Sequence, residues 1–175
     1  MQMATYPPEW EHRFTLSDGA AVFIRPIRPE DEQLYDRFMA AESLEDLRWR
    51  FFAPVKELDP ALITRLTHID YESAMAFIAL DEKTGDMLGV ARLHQTEPNE
   101  TGEYAIIVRS DLKAHGLGWH LMQTLIDYAR KRKLHSIQGR VMHDNAAMLE
   151  MCTELGFEIH CDRDEPSVCN VELTL

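Results

Sequence analysis

Apolar residues return at Leu117, Leu121, Leu125 and Tyr128, the spacing of one face of an α-helix, and the run ends in Arg130-Lys131-Arg132-Lys133. Cations there complement the negative end of a helix. Ahead of it the pattern is of short apolar runs between turn residues, which reads as strands. Ser73–Leu80 and Met87–His94 flank the turn Lys83-Thr84-Gly85-Asp86 as a hairpin, and Glu103–Arg109 follows the Pro98–Gly102 loop as a third strand. Toward the N-terminus, Ala20–Arg28 is a first strand after the Asp18-Gly19 turn, and residues 1–19 before it read as an irregular leader. Pro29 opens a helix to about Ala41, with Glu30 and Asp31 in its first turn. Ser43 caps a short helix through Phe51–Phe52, and Asp59-Pro60 starts another that ends near His68. After the amphipathic helix come strand Ser136–Met142, a helix opened by Asp144 or Asn145 and stopped by Gly156, and final strands Phe157–Cys161 and Val168–Leu173. A meander followed by alternating elements is an α+β pattern, not a doubly wound one.

Composition narrows the function classes. The 175 residues suit one domain spanning 1–175, with enough chain to bury a core without staples. A net charge of −12 argues against a nucleic-acid partner, which needs a basic face, and suits an amine-bearing one. The N-terminus lacks a basic, then apolar secretory signal, and no apolar run reaches the roughly 20 residues of a membrane span. Cys152, Cys161 and Cys169 are odd in number and not closely paired. They read as reduced thiols of a cytoplasmic protein rather than a disulfide framework. The eight histidines form no i, i+4 pair on an expected helix, so no metal site is expected.

The chemistry concentrates in Val108-Arg109-Ser110-Asp111-Leu112-Lys113-Ala114-His115-Gly116-Leu117-Gly118-Trp119. A strand runs into a glycine-bearing turn that opens a helix. The first amides of that helix have no internal partner and carry the positive end of its dipole, so the turn can cradle a pyrophosphate. It is not a Walker loop, because no Gly-Lys-Ser/Thr occurs, and it lacks the third glycine of a dinucleotide fingerprint, position 121 being Leu.

Lys113-x-x-Gly116-x-Gly118 resembles the Arg/Gln-x-x-Gly-x-Gly/Ala signature of the GNAT superfamily of N-acetyltransferases, and Asn145 with Leu155-Gly156-Phe157 resembles its second half. Ile24-Arg25-Pro26-Ile27-Arg28-Pro29-Glu30-Asp31, Arg50-Phe51-Phe52, Ile69-Asp70-Tyr71, Met75-Ala76-Phe77 and Gly89-Val90-Ala91-Arg92 are similar to the acetyltransferase domain of bacterial Pat-type protein lysine acetyltransferases. In that branch the domain is often fused to an acyl-CoA synthetase-like module, of which these residues contain nothing. The resemblance implies a central, mostly antiparallel sheet flanked by helices, with acetyl-CoA as co-substrate and no metal. It implies that backbone amides of Lys113, Ala114, His115, Gly116, Leu117, Gly118 and Trp119 hold the coenzyme A pyrophosphate. Ile106 and Val108 would offer N–H groups to the pantetheine arm, one of them polarising the thioester carbonyl. Asn145 would cap its helix, reach that arm, or do both. Glu103 would be the general base, with burial raising its pKa; His143, Asp144 and Glu97 are weaker choices. The tyrosine that many relatives carry seven residues after the Asn is Cys152 here, read as a small buried residue. Trp49, Phe51 and Phe52 are read as core rather than as the wall of an acceptor cleft. The acceptor is expected to be a protein lysine; a small amine such as a polyamine, amino acid or aminoglycoside, or a non-catalytic acyl-CoA sensor, are the alternatives.

Overall fold

The computed structural model describes residues 5–175 except 54, 56, 98, 99, 114 and 165, and describes only the backbone of Glu97. Eight strands form one sheet: β1 (His12–Thr15), β2 (Ala21–Pro26), β3 (Ala74–Asp81), β4 (Met87–Glu97), β5 (Thr101–Val108), β6 (Ser136–Met142), β7 (Glu158–Cys161) and β8 (Val168–Thr174), in spatial order β1-β2-β3-β4-β5-β6-β8-β7. Every pairing is antiparallel except β5 with β6. The helices are α1 (Tyr35–Ala40), α2 (Leu44–Phe51), α3 (Pro60–Thr67), α4 (Leu117–Lys131) and α5 (Ala146–Leu155).

The expected caps form. The Ser43 side chain accepts from the Asp46 amide, Asp59 accepts from Ala61, Asn145 accepts from Met148, and Gly156 ends α5 at φ 95°. The helix expected from Pro29 begins instead as a 3-10 turn, Pro29–Leu34, because Asp31 folds back to accept from the Arg28 amide and from the buried Arg25 guanidinium at 2.7 and 2.8 Å.

Alternation along the strands sends side chains to two cores. Leu93, Tyr104 and Ile106 pack with Leu117, Leu121, Leu125 and Tyr128 of α4 and with Cys152 of α5. Val90 and Ile107 pack on the opposite face with Tyr35, Phe38 and Leu47, against which Ile63 and Leu66 of α3 also lie. The helical stripe read from the sequence is thus the buried face of α4.

Two expectations are corrected. The leader is not irregular: His12–Thr15 pairs with β2, and Phe14 is its single apolar residue, too little for a periodicity signal. The cysteines are not all reduced thiols. Cys161 and Cys169 stand opposite each other in the β7–β8 ladder and are joined in a disulfide, leaving Cys152 free and buried. Cross-strand register, not sequence spacing, brings them together. The expectation of a cytoplasmic protein loses the thiol argument it rested on, since disulfides are rare in that compartment. Among the described residues no helix is long and apolar enough to cross a membrane.

The sheet splits between β5 and β6. They pair only through Thr101–Glu103 and Ser136–Gln138. The Tyr104 ring lies over Gly139, where a Cβ would come within 2.2 Å of its Cε1, and it is backed by Phe157 and by Cys152 Sγ at 3.2 Å. The Tyr104 ring is thus seated on Gly139 at the first residue beyond the pairing, where a side chain would leave it no room.

Candidate active site

The split sheet leaves a cleft of about 630 Å³ lined by β5 from Glu103 to Val108, the start of α4, Arg140 and Val141 of β6, one side of α5, and α2. Inside it, β5 has an open edge. The Arg109 amide donates to Leu88 O at 2.8 Å, toward β4. Amides alternate along a strand, so those of Val108, Ile106 and Tyr104 face the cleft. At the mouth, Gly116 sits at φ 90° as the N-cap of α4 and offers no capping side chain. The amides of Leu117, Gly118 and Trp119 therefore begin the helix without an intrahelical acceptor. A Cβ on Gly118 would meet only Val108 Cγ2, at 3.8 Å. Free amides, bare glycines and an open strand edge on one wall fit a diphosphate with an extended amide-bearing arm.

β1 supports this turn from behind. Phe14 stacks on His120 with ring centroids 4.1 Å apart, and the Ser17 amide donates to His115 O at 3.2 Å. His115 thus ties the turn to β1 and is not among the residues lining the cleft. Leu117 is buried in the core, so only its backbone belongs to the site. Trp119, 37% exposed, lines the cleft. Ala114 lies outside the described residues.

α2 spans the cleft from turn to β6, a feature the sequence did not disclose. At one end Lys113 pairs with Asp46 and lies 4.9 Å from the Trp49 ring centroid, while Ser110 Oγ donates to Asp46 at 2.5 Å and lies 3.1 Å from a Glu42 carboxyl oxygen. At the other end Asp144 accepts from Arg48 at 2.5 Å and from the Trp49 indole at 3.0 Å, and Arg140 lies over Phe52. Trp49, Phe51 and Phe52 all line the cleft, which corrects the reading of Trp49 and Phe52 as core, while Phe51 packs on the core as well. Asp46 is legible locally only as the far member of a cap, Ser43-x-x-Asp46.

Glu42 makes this cluster pH-sensitive. Burial pushes its carboxyl from an ordinary 4.5 up to about 7, and its Oε1 has no partner. The folded chain holds that proton more tightly than the unfolded chain. Glu42 therefore adds stability below pH 4.5 that is lost as pH rises through about 7. Relative to Glu42→Gln, the wild type should lose up to about 3 kcal/mol across that window in urea melts. A difference between the two chains that does not change with pH would contradict this.

Glu103 is exposed, not buried as expected, and lies where β5 and β6 part. Its alternation with Tyr104 puts it on the sheet face of α1 to α3. Of the other acids and bases considered, Asp144 is held by Arg48 and Trp49, His143 is exposed, and the Glu97 side chain is not described. Asn145 caps α5 and also lines the cleft. Cys152 has no exposure, and burial raises its thiol pKa, so it cannot pass a proton into the cleft.

A family profile described as the acetyltransferase (GNAT) family matches residues 41–157. The chain belongs to the GNAT acetyltransferase family. It is an acyl-CoA-dependent N-acetyltransferase. An acetyltransferase of Pseudomonas aeruginosa is 35% identical over 156 residues, covering 86% of this chain and 82% of that one. An L-methionine sulfoximine/L-methionine sulfone acetyltransferase of Pseudomonas paraeruginosa is 35% identical over 86 residues, 47% of this chain and 50% of its own. The crystal structure of the GNAT domain of S. lividans PAT superposes with a TM-score of 0.89 at 25% identity, over 98% of this chain and all (100%) of that one.

Proposed function

We propose that this acetyltransferase modifies the ε-amine of protein lysines, with Glu103 as general base. The observation that carries the reading is the position of Glu103. It stands where the strands part, beside the open β5 edge, on the face away from the α4–α5 core. The full-length likeness to the S. lividans PAT domain supports a protein acceptor, and the net charge of −12 suits an amine-bearing one of either kind. The amides of Leu117, Gly118 and Trp119 hold the diphosphate, and those of Ile106 and Val108 align the arm. Acetyl-CoA supplies the activated thioester. Glu103, directly or through a water, takes the proton that a lysine amine, with a reference pKa of about 10.4, must lose before it attacks. The amide of Ile106 donates to the carbonyl oxygen as it gains charge. With Cys152 sealed in the core, the departing thiolate takes its proton from solvent.

A second reading, a small amino-acid-like acceptor, is favoured by the relative that acts on L-methionine sulfoximine. Thiol release from acetyl-CoA, measured over lysine-bearing proteins, free amino acids and polyamines, separates them. The protein reading expects the highest kcat/KM on accessible protein lysines. Faster turnover of a free amino acid would replace it with the second reading. Coenzyme A binding with no turnover on any of them would make the chain a sensor.

A further inference from the structure

On the sheet face of α1 to α3, two guanidinium groups have no counter-ion among the described residues. The β4–β5 ladder sets Arg92 opposite Ala105 and His94 opposite Glu103, all on the face of α1 to α3. Arg92 and Glu103 are thus diagonal neighbours, roughly 7 Å apart at Cβ. Arg50 reaches the same place from α2. It lines the main cleft, and with Arg92 it lines a small recess walled by Tyr35, Phe51, Leu66 and Ile107. The Phe51 ring, with its centroid 4.6 Å away, steadies the Arg50 guanidinium.

Neither arginine is neutralised among the described residues. Arg92 donates only to uncharged oxygens, Tyr35 Oη at 3.4 Å and Leu66 O at 3.2 Å. Arg50 has no side-chain acceptor there, and the groups acting on it are Arg92 and Tyr35, with no carboxylate. Of the other cations near the cleft, Arg48 pairs with Asp144 and Lys113 with Asp46, while Arg140 is exposed and lies over the Phe52 ring. Burial, then the charge of Arg92, lowers Arg50 to about 10, so it remains protonated at neutral pH. Two like charges held together out of bulk water are costly unless an anion joins them. Here the open side of Arg50 faces the cleft.

We propose that Arg50, backed by Arg92, is a carboxylate-recognition site for the acceptor, so that favoured acceptors carry a carboxylate close to the amine that is acetylated. The proposal rests on the reading of Glu103 as the base. The guanidinium fork of Arg50 suits a planar carboxylate presented from the cleft in two parallel hydrogen bonds. Arg50 and Glu103 both line the cleft, so a single acceptor can present its carboxylate to the first and its amine to the second. A free α-amino acid offers both groups on one carbon. A lysine peptide offers them when an acidic residue adjoins the lysine.

Matched acceptor pairs test this: leucine, methionine and lysine against their carboxamides, and lysine peptides with Glu or Gln beside the target. Thiol release is measured for wild type, Arg50→Met and Arg50→Lys, and coenzyme A affinity by calorimetry. Wild type should prefer the acid member of at least one class by about 10- to 100-fold in kcat/KM. Arg50→Met should erase the preference mainly through KM, Arg50→Lys should restore part of it, and coenzyme A affinity should stay within about 2-fold. Equal rates on acid and amide by wild type in both classes overturn the proposal, whether or not Arg50→Met folds. An equal loss on both members in Arg50→Met also overturns it. Acid preference among free amino acids but slow peptides would keep this site and sink the protein-lysine reading. Fast peptides indifferent to Glu or Gln, together with free amino acids no faster than their carboxamides, would do the reverse.

Discussion

Gly118→Trp should weaken coenzyme A binding by at least about 100-fold and leave the fold intact. Gly118 is the second residue of α4, and its missing side chain is part of the wall between the free helix amides and the β5 edge. The nearest atom to a Cβ there is Val108 Cγ2 at 3.8 Å, an ordinary contact, so the substitution forces no backbone shift. An indole beyond that Cβ occupies the space proposed for the diphosphate and covers the amides meant to bind it. Calorimetry of coenzyme A with wild type and variant reads the loss, and a thermal melt reads the fold. Unchanged affinity in a folded variant places the cofactor elsewhere. Gly116 is a less direct probe: its φ of 90° is the left-handed region, so any side chain costs about 1 kcal/mol of backbone strain before binding is touched.

The next largest effect is on chemistry. Glu103→Gln should lower kcat on an amine acceptor by about 10²- to 10³-fold near neutral pH, with coenzyme A affinity unchanged. Gln keeps the shape and hydrogen-bonding reach but cannot take a proton. The deficit should shrink as pH approaches the acceptor's own pKa, because a rising fraction of amine arrives already neutral. Because Glu103 is exposed, the substitution removes no core contact, and the melting temperature should stay within a few degrees. A variant as fast as wild type would assign the base to another group and leave the family membership untouched.

Much of the framework was legible because its signals are local. The Leu117–Tyr128 stripe, the Ser43, Asp59 and Asn145 caps and the stop at Gly156 each follow from a few neighbouring residues. The anion turn was legible for the same reason: a strand end, two glycines and a helix start are adjacent in the chain. β1 was missed because four residues with one apolar member carry no period. It nonetheless buttresses the turn through Phe14, His120 and the Ser17–His115 contact. The disulfide was missed because Cys161 and Cys169 meet by cross-strand register. Trp49 and Phe52 were placed in the core because apolar residues mark a face of α2 but not what that face meets; Phe51 does pack there.

The amino-acid order alone determined most element types, their caps and the glycine turn, which are set by interactions within a few residues of one another, and its motifs carried the GNAT resemblance from which the mostly antiparallel sheet was expected. Tertiary structure alone decided that β5 and β6 part where Tyr104 lies over Gly139, that α2 spans the opening through Asp46–Lys113 and Arg48–Asp144, and that Arg50 and Arg92 share one recess. Those contacts join residues 35 to 96 positions apart. Charge, burial and partner are properties of the space around a side chain, and that space exists only once the chain has folded.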